Sequence, residues 1–127
     1  MADDVANHGL SDMMLADSHQ LFSRFPEIRE VWIYGSRARG DFEPASDIDL
    51  AVVAPDMSER RFAELCWLLE ELPVLYHVDI LHWDSLNNPR LRAAIRATRK
   101  SFYPHLTAPA RQRVEKDADL LFPFERA

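Results

Sequence analysis

The chain is poor in three residue types that often shape small domains. It has one cysteine, Cys66, so no internal disulfide can staple it, and Cys66 reads as a small buried hydrophobe on the apolar face of a helix. Lysine occurs only at Lys100 and Lys116, and the other basic residues are arginines spread along the sequence. With a formal net charge of −6, the chain lacks the clustered cations with which proteins track along nucleic acid, so no direct nucleic-acid partner is expected. An acidic body suits a small-molecule substrate or a basic protein partner. No apolar run approaches the length of a membrane span, and Met1-Ala2-Asp3-Asp4 lacks the basic and apolar regions of a signal peptide. No membrane partner is therefore expected, and the cytoplasm is the expected location. Glycine is scarce too: there are three, and two of them, Gly35 and Gly40, bracket one short segment.

What is present is ordinary for a globular domain, with 47% hydrophobic and 28% charged residues in 127. That length predicts a single domain over 1–127 that buries a core without metal or disulfide support. Residues 1–9 read as a loose polar arm. Met14, Leu21, Phe22 and Phe25 predict a first helix over Ser11–Phe25, stopped by Pro26. Val31-Trp32-Ile33-Tyr34 reads as a buried strand ended by Gly35, and Ile48–Ala54 as a second strand closed by Pro55. Asp56 followed by Glu59 resembles a capping box, and Phe62, Leu65, Cys66 and Leu69 fall on one helical face. Leu75–Trp83 reads as a third strand. Asn88 and Pro89 open a further helix with Leu91, Ala94, Ile95 and Thr98 inward. Ser101-Phe102-Tyr103 forms a short last strand, and 105–127 a helical tail. The fold class is α/β (α+β), a small mixed sheet flanked by helices.

The chemistry concentrates in Gly35-Ser36-Arg37-Ala38-Arg39-Gly40-Asp41 and Ser46-Asp47-Ile48-Asp49-Leu50. Asp47 and Asp49 share one strand face while Ile48 and Leu50 point into the core. If the strand carrying Asp79 lies alongside, three carboxylates converge, and their mutual repulsion is relieved by divalent cations such as Mg²⁺. Two such ions can clamp an in-line displacement at phosphorus. Ser36 and the backbone N–H groups from Gly35 to Arg37 would open a short helix and offer an anion site, with Arg37 and Arg39 either bonding outer phosphates or merely solvated. The spacing is not that of a P-loop. Asp79, between Val78 and Ile80 in an apolar run, calls for a partner. His77 would share its face and His82 would not; both read as partly exposed strand histidines. Asp41 and Glu43 read as solvated, and Trp32, Trp67 and Trp83 as core.

Gly35-Ser36, ten intervening residues, Asp47-x-Asp49 and the downstream Asp79 resemble the signature of the DNA polymerase beta-like nucleotidyltransferases. The form Gly-Ser-Arg-Ala-Arg-Gly-Asp…Ser-Asp-Ile-Asp-Leu is similar to that of the minimal nucleotidyltransferases, the MNT family. The likeness runs from the first helix to Tyr103. It implies a nucleotidyltransferase fold, two Mg²⁺ ions and a nucleoside triphosphate, usually ATP. By position, Asp47 and Asp49 would bind the metals holding the triphosphate, Asp79 would ligate the catalytic metal and help deprotonate an acceptor hydroxyl, and Gly35 and Ser36 would hold the β- and γ-phosphates. The reaction implied is transfer of AMP with release of pyrophosphate. Proteins of this kind are paired with HEPN toxins and are thought to modify a toxin tyrosine, which implies a HEPN-type partner in a hetero-oligomer. Two other readings stay open: an adenylyltransferase acting on a small molecule such as an aminoglycoside, and an antitoxin that acts by binding alone.

Overall fold

A computed structural model of the chain describes residues 8–73 and 76–104. Most of the expected polar arm and all of the expected helical tail lie outside the described residues. Among the described residues, four helices, a 3₁₀ turn and four strands follow one another: α1 (Asp12–Ser23), β1 (Glu30–Tyr34), α2 (Ser36–Arg39), β2 (Ile48–Val53), α3 (Glu59–Glu70), β3 (Val78–His82), the 3₁₀ turn Trp83–Ser85, α4 (Pro89–Thr98) and β4 (Lys100–Tyr103). No helix among the described residues is long and apolar enough to cross a membrane.

Helix starts follow the capping chemistry of short polar side chains. Ser11 Oγ accepts from the Met14 N–H at 3.1 Å, and Asn88 Oδ1 accepts from the Leu91 N–H at 3.1 Å. The cap of α3 is Ser58 rather than the expected Asp56: Ser58 Oγ accepts from the Arg61 N–H at 3.1 Å, which moves the start two residues on. The strand expected over Leu75–Trp83 is shorter at both ends: Tyr76 and His77 precede the strand, Trp83 begins the 3₁₀ turn, and Leu75 lies outside the described residues.

The sheet order is β3-β2-β1-β4, with β1 antiparallel to both β2 and β4 and β2 parallel to β3 across the α3 crossover. Alternation along the strands sorts side chains between two faces. Val31, Ile33, Ile48, Leu50, Val52 and Phe102 enter the larger core, which also takes buried residues of α1 and α3. Fully buried aliphatic side chains such as Ile33, Ile48 and Leu50 stabilise the fold by about 2 kcal/mol each. The other face carries Trp32, Ala51, Trp83 and Ile95, the last from α4. Here the arginines that look scattered in sequence converge: the guanidinium groups of Arg92 and Arg96 lie over the Trp83 ring and that of Arg99 over Trp32. Trp32 and Trp83 are core, as expected, whereas Trp67 on α3 is 61% exposed.

The parallel pairing is held at both ends. At the start of the ladder the Ile48 N–H donates to the His77 carbonyl at 2.9 Å. At its far end the Ala54 N–H donates to Asp84 Oδ2 at 2.7 Å, and His82 Nε2 donates to the Ala54 carbonyl at 2.8 Å. His82 is therefore a packed structural residue, stacked on Phe62, rather than the partly exposed one expected. Replacing Asp84→Ala leaves the Ala54 N–H without its acceptor and is expected to lower unfolding stability in urea by about 1–3 kcal/mol, while Asp84→Asn, which keeps an acceptor, loses less.

Candidate active site

The β2–β3 register places Asp49 directly opposite Asp79, and β1–β2 pairing places Tyr34 beside Asp49. Asp49 and Asp79 stand on the sheet face that carries Trp32 and Ala51, clear of the larger core. Asp47, one residue before β2, joins them. Ligand atoms of Asp47, His77 and Asp79 all lie within 4.8 Å of one another, and all three side chains are exposed. His77 Nε2 approaches Asp79 Oδ1 to 3.1 Å. The expected convergence of three acids is what the structure shows, with a histidine added. His77 had one signal in the sequence, its place two residues before Asp79 on the same strand face. Asp79, expected to need a partner, has one in His77, and it stands exposed on β3, an edge strand.

Asp49 is the half-buried member. Its carboxyl is raised above the ordinary value by burial first, then by the negative charges of Asp79 and Asp47, with His77 offsetting part of the effect. The Tyr34 phenol is pushed up to about 12 by burial and by the same two acids, Asp49 and Asp79. Such mutual repulsion among oxygen donors is of the kind that a divalent cation relieves, and Asp47 and Asp79 bring their carboxylates within reach of one another.

Beside the acids lies the turn from β1 into α2. Gly35 adopts φ +77°, and a Cβ there would stand 2.7 Å from Asp49 Oδ2. Glycine thus answers two demands, a left-handed backbone and the close approach of a carboxylate. The Gly35 N–H donates to Thr98 Oγ1 at 3.3 Å, so α4 braces the turn. Thr98 was expected only as part of an apolar helix face. The N–H groups of Ser36 and Arg37 head α2, where helical geometry leaves donors without intrahelical partners.

The two arginines part company. Arg39 is exposed and pairs with Asp41 at 3.2 Å, a solvated contact that leaves it within the turn's surface. Arg37 is 2% exposed, and its placement does not support the expected bond to phosphate. Its guanidinium donates to the carbonyls of His8 at 2.9 Å, Pro44 at 3.0 Å and Ser46 at 3.0 Å, between the rings of Phe42 and Tyr76. The far end of the expected loose arm is thereby tied down, since His8 is itself buried. Gly9 fits beneath the same loop, where a Cβ would overlap the Phe42 ring. A groove of about 440 Å³, lined by Cys66, Leu69, Tyr76, His77, Asp79 and Ile80, opens along the β3 edge next to the acids.

Mixed sheet, glycine turn and acid cluster define a nucleotidyltransferase of the polymerase beta type. Residues 18–105 match the family described as "Polymerase beta, Nucleotidyltransferase", and the chain belongs to that family. Among solved structures, it is similar to a chain of a toxin–antitoxin complex with AMP-PNP, at 20% identity and a TM-score of 0.57, covering 93% of this chain and 100% of that one. A chain from the complex of a tri-AMPylated Shewanella oneidensis HEPN toxin with its MNT antitoxin is similar at 17% identity and a TM-score of 0.55, again over 93% and 100%. At these identities the likeness is one of fold. Among curated proteins no sequence matches this chain.

Two consequences can be measured. A carboxyl whose folded pKa is raised contributes stability in its protonated form, and loses that contribution as pH rises through the folded value. In chelator, Asp49→Asn is therefore expected to melt above the parent at neutral pH, and the gap should close as pH falls below the ordinary value of 3.8. Adding Mg²⁺ should raise the parent's Tm by more than the variant's, since the variant lacks the Asp49 charge that the cation would offset. Arg37→Ala is expected to lose about 3 kcal/mol in urea unfolding, since the three carbonyls are left unpaired; Arg37→Lys, lacking the planar fork, should recover only part of it.

Proposed function

We propose that this chain transfers AMP from ATP, with Mg²⁺, to a tyrosine hydroxyl of a HEPN-type toxin and so acts as its antitoxin. The observation that carries the reading is the convergence of Asp47, Asp49 and Asp79 beside the Gly35 turn, since binding alone has no need of three repelling acids. Asp47 and Asp49 would hold the metals of the triphosphate and Asp79 the metal nearest the acceptor. Bound there, divalent cations would neutralise phosphate charge and make the acceptor hydroxyl more acidic.

The chain's own groups account for the rest. The Ser36 hydroxyl and the N–H groups heading α2 receive the β- and γ-phosphates, with Gly35 keeping the approach open and Arg39 supplying a mobile cation at its rim. Asp79, exposed at the strand edge, faces the acceptor and takes its proton as the new oxygen–phosphorus bond forms at the α-phosphorus and the bond to the pyrophosphate oxygen breaks. The groove along β3 reaches Asp79 from the side and has room for an aromatic side chain. The acidic body also complements a basic RNA-cutting partner. Similarity to chains from toxin–antitoxin complexes, one with an AMPylated toxin, supports this choice of acceptor.

Incubation of the purified protein with Mg²⁺, α-labelled ATP and lysate from its source tests the reading. Label on a tyrosine of a discrete small protein is expected, reduced about a hundredfold or more for Asp47→Ala/Asp49→Ala. Metal-dependent pyrophosphate release with small alcohols but no labelled protein would favour a small-molecule acceptor. Capture of the partner with neither reaction would favour an antitoxin that only binds.

A further inference from the structure

The acids of the site are not its only metal-binding side chains. His77 lies just ahead of β3, on the face of Asp79, and its Nε2 stands 3.1 Å from Asp79 Oδ1. Two donors bound to one ion at about 2.0–2.2 Å, at angles near those of tetrahedral or octahedral coordination, stand roughly 2.8–3.6 Å apart. The observed separation already falls in that range. Asp47 supplies a third donor within 4.8 Å of both, and its exposed side chain is free of the packing that would prevent it from closing in. Asp49 differs: it is half-buried against Gly35, and it is not one of these three.

We propose that Asp47, His77 and Asp79 form a mixed nitrogen–oxygen position that binds Mn²⁺ and Zn²⁺ in preference to Mg²⁺, on the acceptor side of the site. The inference rests on the metal-dependent reading above and deepens it. A purely carboxylate set suits hard ions that keep their waters, whereas an imidazole nitrogen adds affinity for ions later in the first transition series. The backbone supports the placement: the His77 carbonyl is held by the Ile48 N–H at 2.9 Å, so His77 is fixed to β2 at the point where Asp47 leaves it. Exposure of all three side chains gives an aqueous ion direct entry. The metal chosen at this position then decides how strongly an acceptor hydroxyl near Asp79 is acidified, because Zn²⁺ lowers the pKa of a bound hydroxyl further than Mg²⁺ does.

Direct binding, without nucleotide or partner, tests the proposal. Calorimetric titration of the metal-free full chain with Mg²⁺, Mn²⁺ and Zn²⁺ is expected to show tighter binding of the two transition ions. His77→Asn should weaken Zn²⁺ and Mn²⁺ roughly tenfold or more while changing Mg²⁺ less than about threefold. With Mn²⁺ bound, electron spin echo modulation should report a directly coordinated nitrogen in the parent and none in His77→Asn. Circular dichroism of the variant verifies its fold, and His77→Gln provides a second substitution if the first unfolds. Equal loss for all three ions, no loss for any, or an Mn²⁺ signal free of nitrogen in the folded parent would overturn the proposal. These outcomes are separate from the AMP-transfer reading, whose failure appears as absent label despite intact metal binding.

Discussion

Parallel pairing of β2 with β3 is the constraint from which the site follows. Side chains alternate along a strand, so sliding β3 by one residue would carry Asp79 into the larger core and turn Val78 and Ile80 outward. The apolar pattern of both strands opposes that slip, and polar clamps oppose it again at each end. Ile48 bonds His77 at one end; Asp84 and His82 together satisfy both backbone groups of Ala54 at the other. The acids would otherwise separate, since each repels the others. Burial of their neighbours on the opposite face supplies the force that holds them together.

A second device fixes the loop between β1 and β2. Burying a guanidinium is costly unless its donors are met, and Arg37 meets them with three backbone carbonyls and two aromatic faces. The carbonyls come from residues on either side of the Gly35 turn, so one side chain organises a loop that has no regular structure of its own. Glycine is spent almost wholly here. Gly9 makes room for Phe42, Gly35 for Asp49, and Gly40 closes α2 in a left-handed conformation. Scarcity elsewhere is consistent with strands and helices that have no such close approaches.

Much of this was legible in the sequence because it depends on periodicity and spacing. Alternation in Ile48–Leu50 gave the direction of Asp49, and the caps Asn88 and Pro89 gave the start of α4. What was not legible depends on contacts between distant segments. Nothing local distinguishes Arg37 from Arg39, yet one is sealed under His8 and the other lies in solvent. Alternation sets His77 on the face of Asp79 and His82 on the other, but only the sheet shows that the second belongs to a clamp on Ala54. Thr98 falls on an apolar helix face by spacing; its hydroxyl is useful only because α4 ends against Gly35. Trp67 illustrates the converse, a large apolar residue that helical spacing alone does not bury.

The distribution of stability over this fold follows from its chemistry. The larger core is closely packed and the Arg37 guanidinium is met by backbone carbonyls, whereas the acid cluster carries repulsion that His77 offsets only in part, and Asp49 is held above its ordinary pKa. A site optimised for the metal-free fold would replace at least one of these carboxylates with an amide. Under the proposed function, their retention would let ligand binding release an electrostatic conflict, so that a cation would gain affinity from energy already present in the protein. The rigid elements on each side, clamped β-ladder and braced glycine turn, keep the acids from relaxing apart to relieve that conflict. Rigidity around a frustrated cluster is what the proposed chemistry requires of a small sheet, since ions and phosphate would have to be kept in register for a displacement at phosphorus.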